Sequence, residues 1–176
     1  MIVHAVADRL IARPTGMVTP LALQKLLYYA QGWHLAAHDE PLFDEDIQAW
    51  KYGPVVPVIY RRFRRLGEGR IPPAAVMTNP AGILAAPVLG LLDWVGERYG
   101  ALPAIELMRQ THDEPPWKET WGDRPADDEG RDVIPVDRLR AFFKGEQERL
   151  ADAAGLAPVA ATPELLSWAT MAAVGR

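Results

Sequence analysis

His34 and His38 stand four residues apart, which puts both imidazoles on one helical face at metal-bridging spacing. The intervening Leu35-Ala36-Ala37 supplies no glutamate, so a third ligand would have to come from Asp39, Glu40 or a distant residue such as His112. The expectation is one half-buried histidine and one at a helix end, where positive charge suits the dipole. Asp44-Glu45-Asp46 forms a carboxylate cluster without the alternating oxygen ligands and glycine turn of a calcium loop, and reads as a solvated turn. The single serine, Ser167, lacks the sharp turn that activates a hydrolase nucleophile. With no cysteine, thiolate chemistry and disulfides are excluded together. No phosphate-cradling glycine loop is present either. These residues predict no catalytic group, no metal and no cofactor.

Charge and aromatic patterning say more. Arg61-Arg62-Phe63-Arg64-Arg65 crowds four guanidiniums onto little more than one turn, where they repel unless an anion is near. The cluster is expected to form a basic surface around a buried Phe63, either paired with the acids between 39 and 46 or facing an acidic protein. Nineteen basic against 23 acidic residues leave a net charge of −4, which disfavours nucleic acid and anionic lipid as partners of the whole molecule. Just before the cluster runs Trp50-Lys51-Tyr52-Gly53-Pro54, and Tyr60 follows. Trp, Tyr and Arg carry much interface energy, so Trp50, Tyr52, Gly53, Pro54, Tyr60, Arg61, Arg62 and Arg65 are the candidate partner-binding residues.

The elements that must position them follow the helical period. Val3, Val6, Ala7, Leu10 and Ile11 predict a helix over about 2–12. Thr19-Pro20 is a helix start, and Leu23, Leu26, Leu27 and Ala30 continue it to about 37 as a central, largely buried helix. A short strand is expected in 43–51, punctuated by Gly53-Pro54. Val55, Ile59, Phe63 and Leu66 line a third helix, and further helices are expected over about 86–99 and from Pro103 to near His112, ahead of Pro115-Pro116. Val133-Ile134 predicts one more short strand, and Val136, Leu139, Phe142 and Phe143 a sixth helix. From Ala151 the composition turns alanine-rich, with a helix start again at Thr162-Pro163. The uncharged run from 71 to 92 is broken by Pro72, Pro73, Pro80 and Pro87 and cannot be a lipid-embedded helix. The expected fold is mainly α, a single compact domain of six or seven helices with at most a short two-stranded β element. With no leader pattern at the N-terminus, a soluble cytoplasmic protein is expected.

One string is more specific than any of this: Leu23-Gln24-Lys25-Leu26-Leu27-Tyr28-Tyr29-Ala30-Gln31-Gly32-Trp33-His34, followed by Pro41-Leu42-Phe43, Ile47-Gln48-Ala49-Trp50-Lys51-Tyr52-Gly53-Pro54 and Tyr60, then Thr111-His112 and Pro116-Trp117. In that order and spacing the chain resembles the Panacea antitoxin domain family over roughly residues 3–144, with Gln24, Lys25, Tyr28, Gln31, Trp33, His34, His112 and Trp117 as its motif residues. The resemblance implies a domain at 1–144 and an alanine-rich extension at 145–176. It also implies a non-enzymatic antitoxin that neutralises a cognate toxin by direct binding. The SocA-like branch adds a proteolytic adaptor role, delivering the toxin to a Clp-type ATP-dependent protease. The alternative from residue chemistry alone is a prophage-type DNA-binding regulator using the basic helix at 61–65.

Overall fold

The computed structural model describes residues 2–13 and 18–153. Helix α1 (Ile2–Ile11) buries the predicted stripe of Val3, Val6, Ala7, Leu10 and Ile11. Helix α2 (Pro20–His38) starts as its sequence demands: the Thr19 hydroxyl accepts from the Ala22 amide at 3.2 Å, and Pro20 occupies the first turn. It is buried on every face and is the hub on which α1, α4, α5 and α7 pack. It ends at Asp39, whose φ of 61° lets its amide donate to the Leu35 carbonyl.

Strands β1 (Gln48–Trp50) and β2 (Gly53–Val55) form an antiparallel hairpin in which Trp50 faces Gly53, so Lys51 and Tyr52 make the turn. Gly53 is therefore a strand residue and not a stop. Its φ of +93° favours glycine, and a β-carbon there would meet the buried Lys25 Nζ at 2.6 Å. Helix α3 (Pro57–Phe63) is followed by a single tight turn at 64–66. The α-helical stripe ends there, so Leu66, expected to be buried, is instead exposed. Two more tight turns carry the proline-rich segment to α4 (Ala86–Tyr99), which is followed by α5 (Ala104–Asp113).

Helix α6 (Pro115–Trp121) has no counterpart in the sequence expectations. Pro115-Pro116 reads as a terminator, but both prolines lie in the first turn of α6, where their missing N–H groups cost nothing. Strand β3 (Asp132–Val133) then pairs antiparallel with β1, giving the order β2-β1-β3. The sheet thus has three strands where at most two were expected. Helix α7 (Val136–Ala153) closes the fold against α2 and runs on through Gly145 to Ala153. The helix start expected at Thr162 lies outside the described residues.

Phe143 of α7 sits edge-on to Tyr28, Tyr29 and Trp33 of α2, with ring centroids 5.4, 6.2 and 5.3 Å away. Gly32 makes that seat, since a β-carbon there would overlap the ring. No helix among the described residues is long and apolar enough to cross a membrane.

Candidate partner-binding surface and the polar core beneath it

Most of the motif residues point inward. Gln31 is buried and uses both ends of its amide: its Oε1 accepts from the Leu42 and Phe43 amides at 2.9 and 3.2 Å, and its Nε2 donates to the Phe43 carbonyl at 3.0 Å. Two turns earlier on α2, Gln24 accepts from the Val56 amide at 2.8 Å. Lys25 donates to the Pro54 carbonyl at 3.0 Å, and full burial holds its pKa far below the ordinary value. Three polar side chains of one helix thus pin both ends of the segment 42–56, which carries the hairpin. Buried hydrogen bonds across the core favour one geometry, so the hairpin is held in shape from below.

A second buried cluster adjoins it. Glu114 accepts from the hydroxyls of Tyr28 and Tyr29 at 2.7 and 2.9 Å. Trp33 donates to the Tyr99 hydroxyl at 3.0 Å, and Tyr99 stacks on Tyr29 with centroids 3.9 Å apart. His112 stacks on Trp117 at 3.8 Å, and the Trp117 indole donates to the Trp50 carbonyl at 2.9 Å, tying α6 to the hairpin. The Nε2 of His112 is buried with no hydrogen-bond partner among the described residues.

Burial pushes Glu114 up to about 7, against the opposing pull of its tyrosine and Gln110 hydrogen bonds, with the nearby charge of Glu146 adding to the rise. Burial, with the positive charge of Lys25, pushes His112 down to about 4 despite Asp113. The two act oppositely on stability. Glu114 contributes fully below its ordinary 4.5, and that contribution is lost as pH rises through about 7. His112 contributes fully above its ordinary 6.5 and loses that contribution as pH falls toward 4. Between these limits the wild type should therefore lose stability relative to Glu114→Gln as pH rises, and gain it relative to His112→Gln. Urea midpoints at half-unit pH steps check both signs, and parallel curves for all three proteins would remove the two groups as pH determinants.

The candidate partner-binding residues fall into two sets. Tyr52 at the hairpin turn is 59% exposed, with Lys51 over its ring. Trp50 and Tyr60 are half-buried and meet edge to face at 4.9 Å, and Arg131 lies 5.7 Å over Trp50. Arg61, Arg64 and Arg65 are exposed, with no ion pair among the described residues. Gly53 and Pro54 are buried. Arg62 departs from the expected basic surface. Its guanidinium turns inward to the buried Asp8 carboxylate at 2.6 Å and donates to the Ala75 carbonyl at 2.6 Å. Of the acids at 39–46, Asp39 pairs with Arg140 and Lys144 of α7 and not with the arginine cluster.

His34 and His38 do share a face, with rings 4.6 Å apart. The Nδ1 of His34 donates to the Glu40 carbonyl at 2.8 Å, which commits that nitrogen. Among the described residues no group of three His, Cys, Asp or Glu side chains is placed to hold a metal ion. The sequence reading did not single out Asp8, Glu114 or Arg131. Asp8 had a signal: an acid inside the apolar N-terminal stretch, next to the buried Ala7.

The elements define a mainly helical domain whose polar core fixes the shape of one aromatic and basic surface. The chain belongs to the family described as antitoxin SocA-like, Panacea domain, whose model matches residues 23–118. It is similar to Antitoxin SocA of Caulobacter vibrioides (strain NA1000 / CB15N), with 46% identity over 67 residues that span 36% of this chain and 36% of that protein. The chain therefore matches about a third of that relative's length. No solved structure matches.

Proposed function

We propose that this chain is an antitoxin that neutralises a cognate toxin by direct protein binding, without catalysis. The surface formed by Trp50, Tyr52, Tyr60, Arg61 and Arg65 makes the contact. The observation that carries this reading, beside the family membership, is that Arg61, Arg64 and Arg65 stand exposed without an ion pair among the described residues, next in sequence to Tyr60, which meets Trp50 edge to face. Carrying exposed like charges on one turn costs stability, and an acidic partner surface offsets that cost. The likeness to the SocA-like branch further supports delivery of the bound toxin to a Clp-type ATP-dependent protease in the cytoplasm.

Binding to a candidate toxin sought among the products of the neighbouring genes supplies the test. Reversing Arg61 and Arg65 to glutamate should weaken toxin binding roughly tenfold or more, mostly at low salt. Unchanged affinity would remove the arginines from the interface. Steeply salt-dependent binding to operator DNA, lost in the same variant, would instead favour the regulator reading.

A further inference from the structure

Glu114 is the single residue between α5 and α6, and its extended backbone (φ −80°, ψ 135°) makes the corner. An acid in that place ordinarily accepts from the first amides of the helix it opens. Glu114 makes no such bond. Pro115 and Pro116 have no N–H to offer, and the carboxyl reaches across to the Tyr28 and Tyr29 hydroxyls of α2 instead.

The surroundings suit a neutral carboxyl better than a charged one. Among the described residues no lysine or arginine pairs with Glu114. From α7 comes the like charge of Glu146, and from α5 a hydrogen bond from Gln110. Tyr99 of α4 adjoins the tyrosine pair, and its hydroxyl accepts from the Arg98 Nε at 3.3 Å. Its titratable neighbours in the chain are His112 and Asp113. Burial and Glu146 together oppose ionisation. Asp113 and Pro115 are exposed, so water lies one residue away on either side of the corner.

What hangs on the corner is the support of the hairpin. The Lys118 amide donates to the Glu114 carbonyl at 3.0 Å, so a displaced Glu114 carries α6 with it. On α6, Trp117 stacks between His112 and Trp121, at 3.8 and 5.1 Å, and its indole donates to the Trp50 carbonyl. Trp50 meets Tyr60. Direct contacts therefore run from Glu114 to two residues of the candidate partner-binding surface.

We propose that Glu114 is the positioning residue of that surface, a joint worked by a proton. Neutral, it keeps α6 seated beneath the hairpin; ionised, it leaves the tyrosine pair for water and shifts α6 and Trp50 together. The consequence for toxin binding rests on the antitoxin reading above, whereas the joint itself does not.

The test is two-dimensional NMR of the full chain, following the indole N–H signals of Trp50 and Trp117 across neutral pH. Both should move together with a midpoint at about 7, where Glu114 titrates. Glu114→Gln should hold both at their low-pH positions throughout. Glu146→Gln, which removes only the like charge, should shift the midpoint to lower pH. Trp117→Phe, which keeps a ring in the stack without the donor, should leave the Trp50 signal unresponsive. A flat Trp50 signal in the parent chain overturns the proposal, and so does movement that survives in Glu114→Gln or Trp117→Phe. Should Glu114→Gln not fold, Glu146→Gln decides alone, and an unmoved midpoint overturns the joint. Affinity for a candidate toxin should fall as pH rises through the same midpoint in the parent chain but not in Glu114→Gln. Absence of toxin binding at every pH counts against the antitoxin reading and leaves the joint standing on the NMR result.

Discussion

Asp8→Ala is expected to lower the unfolding free energy by about 3–5 kcal/mol, far more than a single exposed charge contributes. The carboxylate is inaccessible to water and serves three donors: the Arg62 guanidinium and the amides of Met77 and Thr78. Removing it strands the guanidinium, whose side chain is only 11% exposed, and leaves two amides without their acceptor. The loss arises from what remains behind and not from the pair's own attraction. Replacing both charges, as in Asp8→Leu with Arg62→Met, should therefore recover much of the stability. Urea denaturation of the single and double variants measures this. A single variant within about 0.5 kcal/mol of wild type would mean that Asp8 is not the anchor of the 71–78 segment.

Phe143→Ala should cost about 3–5 kcal/mol, because it empties the seat where α7 meets α2. The ring touches Tyr28, Tyr29, Trp33 and Phe142, so truncation leaves aromatic edges facing a cavity. The reciprocal change at Gly32 has an informative sign. Helix propensity alone predicts that alanine improves a helix interior by about 1 kcal/mol. Here the new methyl would overlap the Phe143 ring, so Gly32→Ala is expected to destabilise. Combining it with Phe143→Leu should recover part of the loss, and a double-mutant cycle gives the coupling. Additive effects at the two positions would separate them.

How far the sequence reveals this molecule depends on the kind of signal. Helices α1, α2 and α4 emerge close to their observed ends because the apolar period and, for α2, the Thr19-Pro20 start agree. Helix α6 does not, because a proline pair reads as a stop whether it follows a helix or opens one. Only the Trp50 carbonyl that receives the Trp117 indole shows which applies. The unforeseen strand is β2: Gly53-Pro54 reads as punctuation, yet Gly53–Val55 pairs with β1, while Val133 marks β3 as its sequence suggests.

At the surface, composition finds Tyr52 and the arginines but cannot tell which of four adjacent guanidiniums turns inward. That choice falls to Arg62 because Asp8, more than fifty positions earlier, sits beneath it. The motif string is legible as a pattern long before its purpose is. Gln24, Lys25 and Gln31 resemble surface residues by type, and only their backbone partners at 42–56 show that they shape the hairpin from inside.

The burial of α2 on every face also sets a timetable for synthesis. Its closing partner, α7, is translated about a hundred residues later, the separation recorded by the Asp39–Lys144 pair at |i−j| of 105. At about 5–20 residues per second, a nascent chain carries Tyr28, Tyr29 and Trp33 without their final cover for several seconds. During that interval the hub helix is an apolar surface available to chaperones and proteases. A message cut short before residue 136 yields a chain that can never hide it.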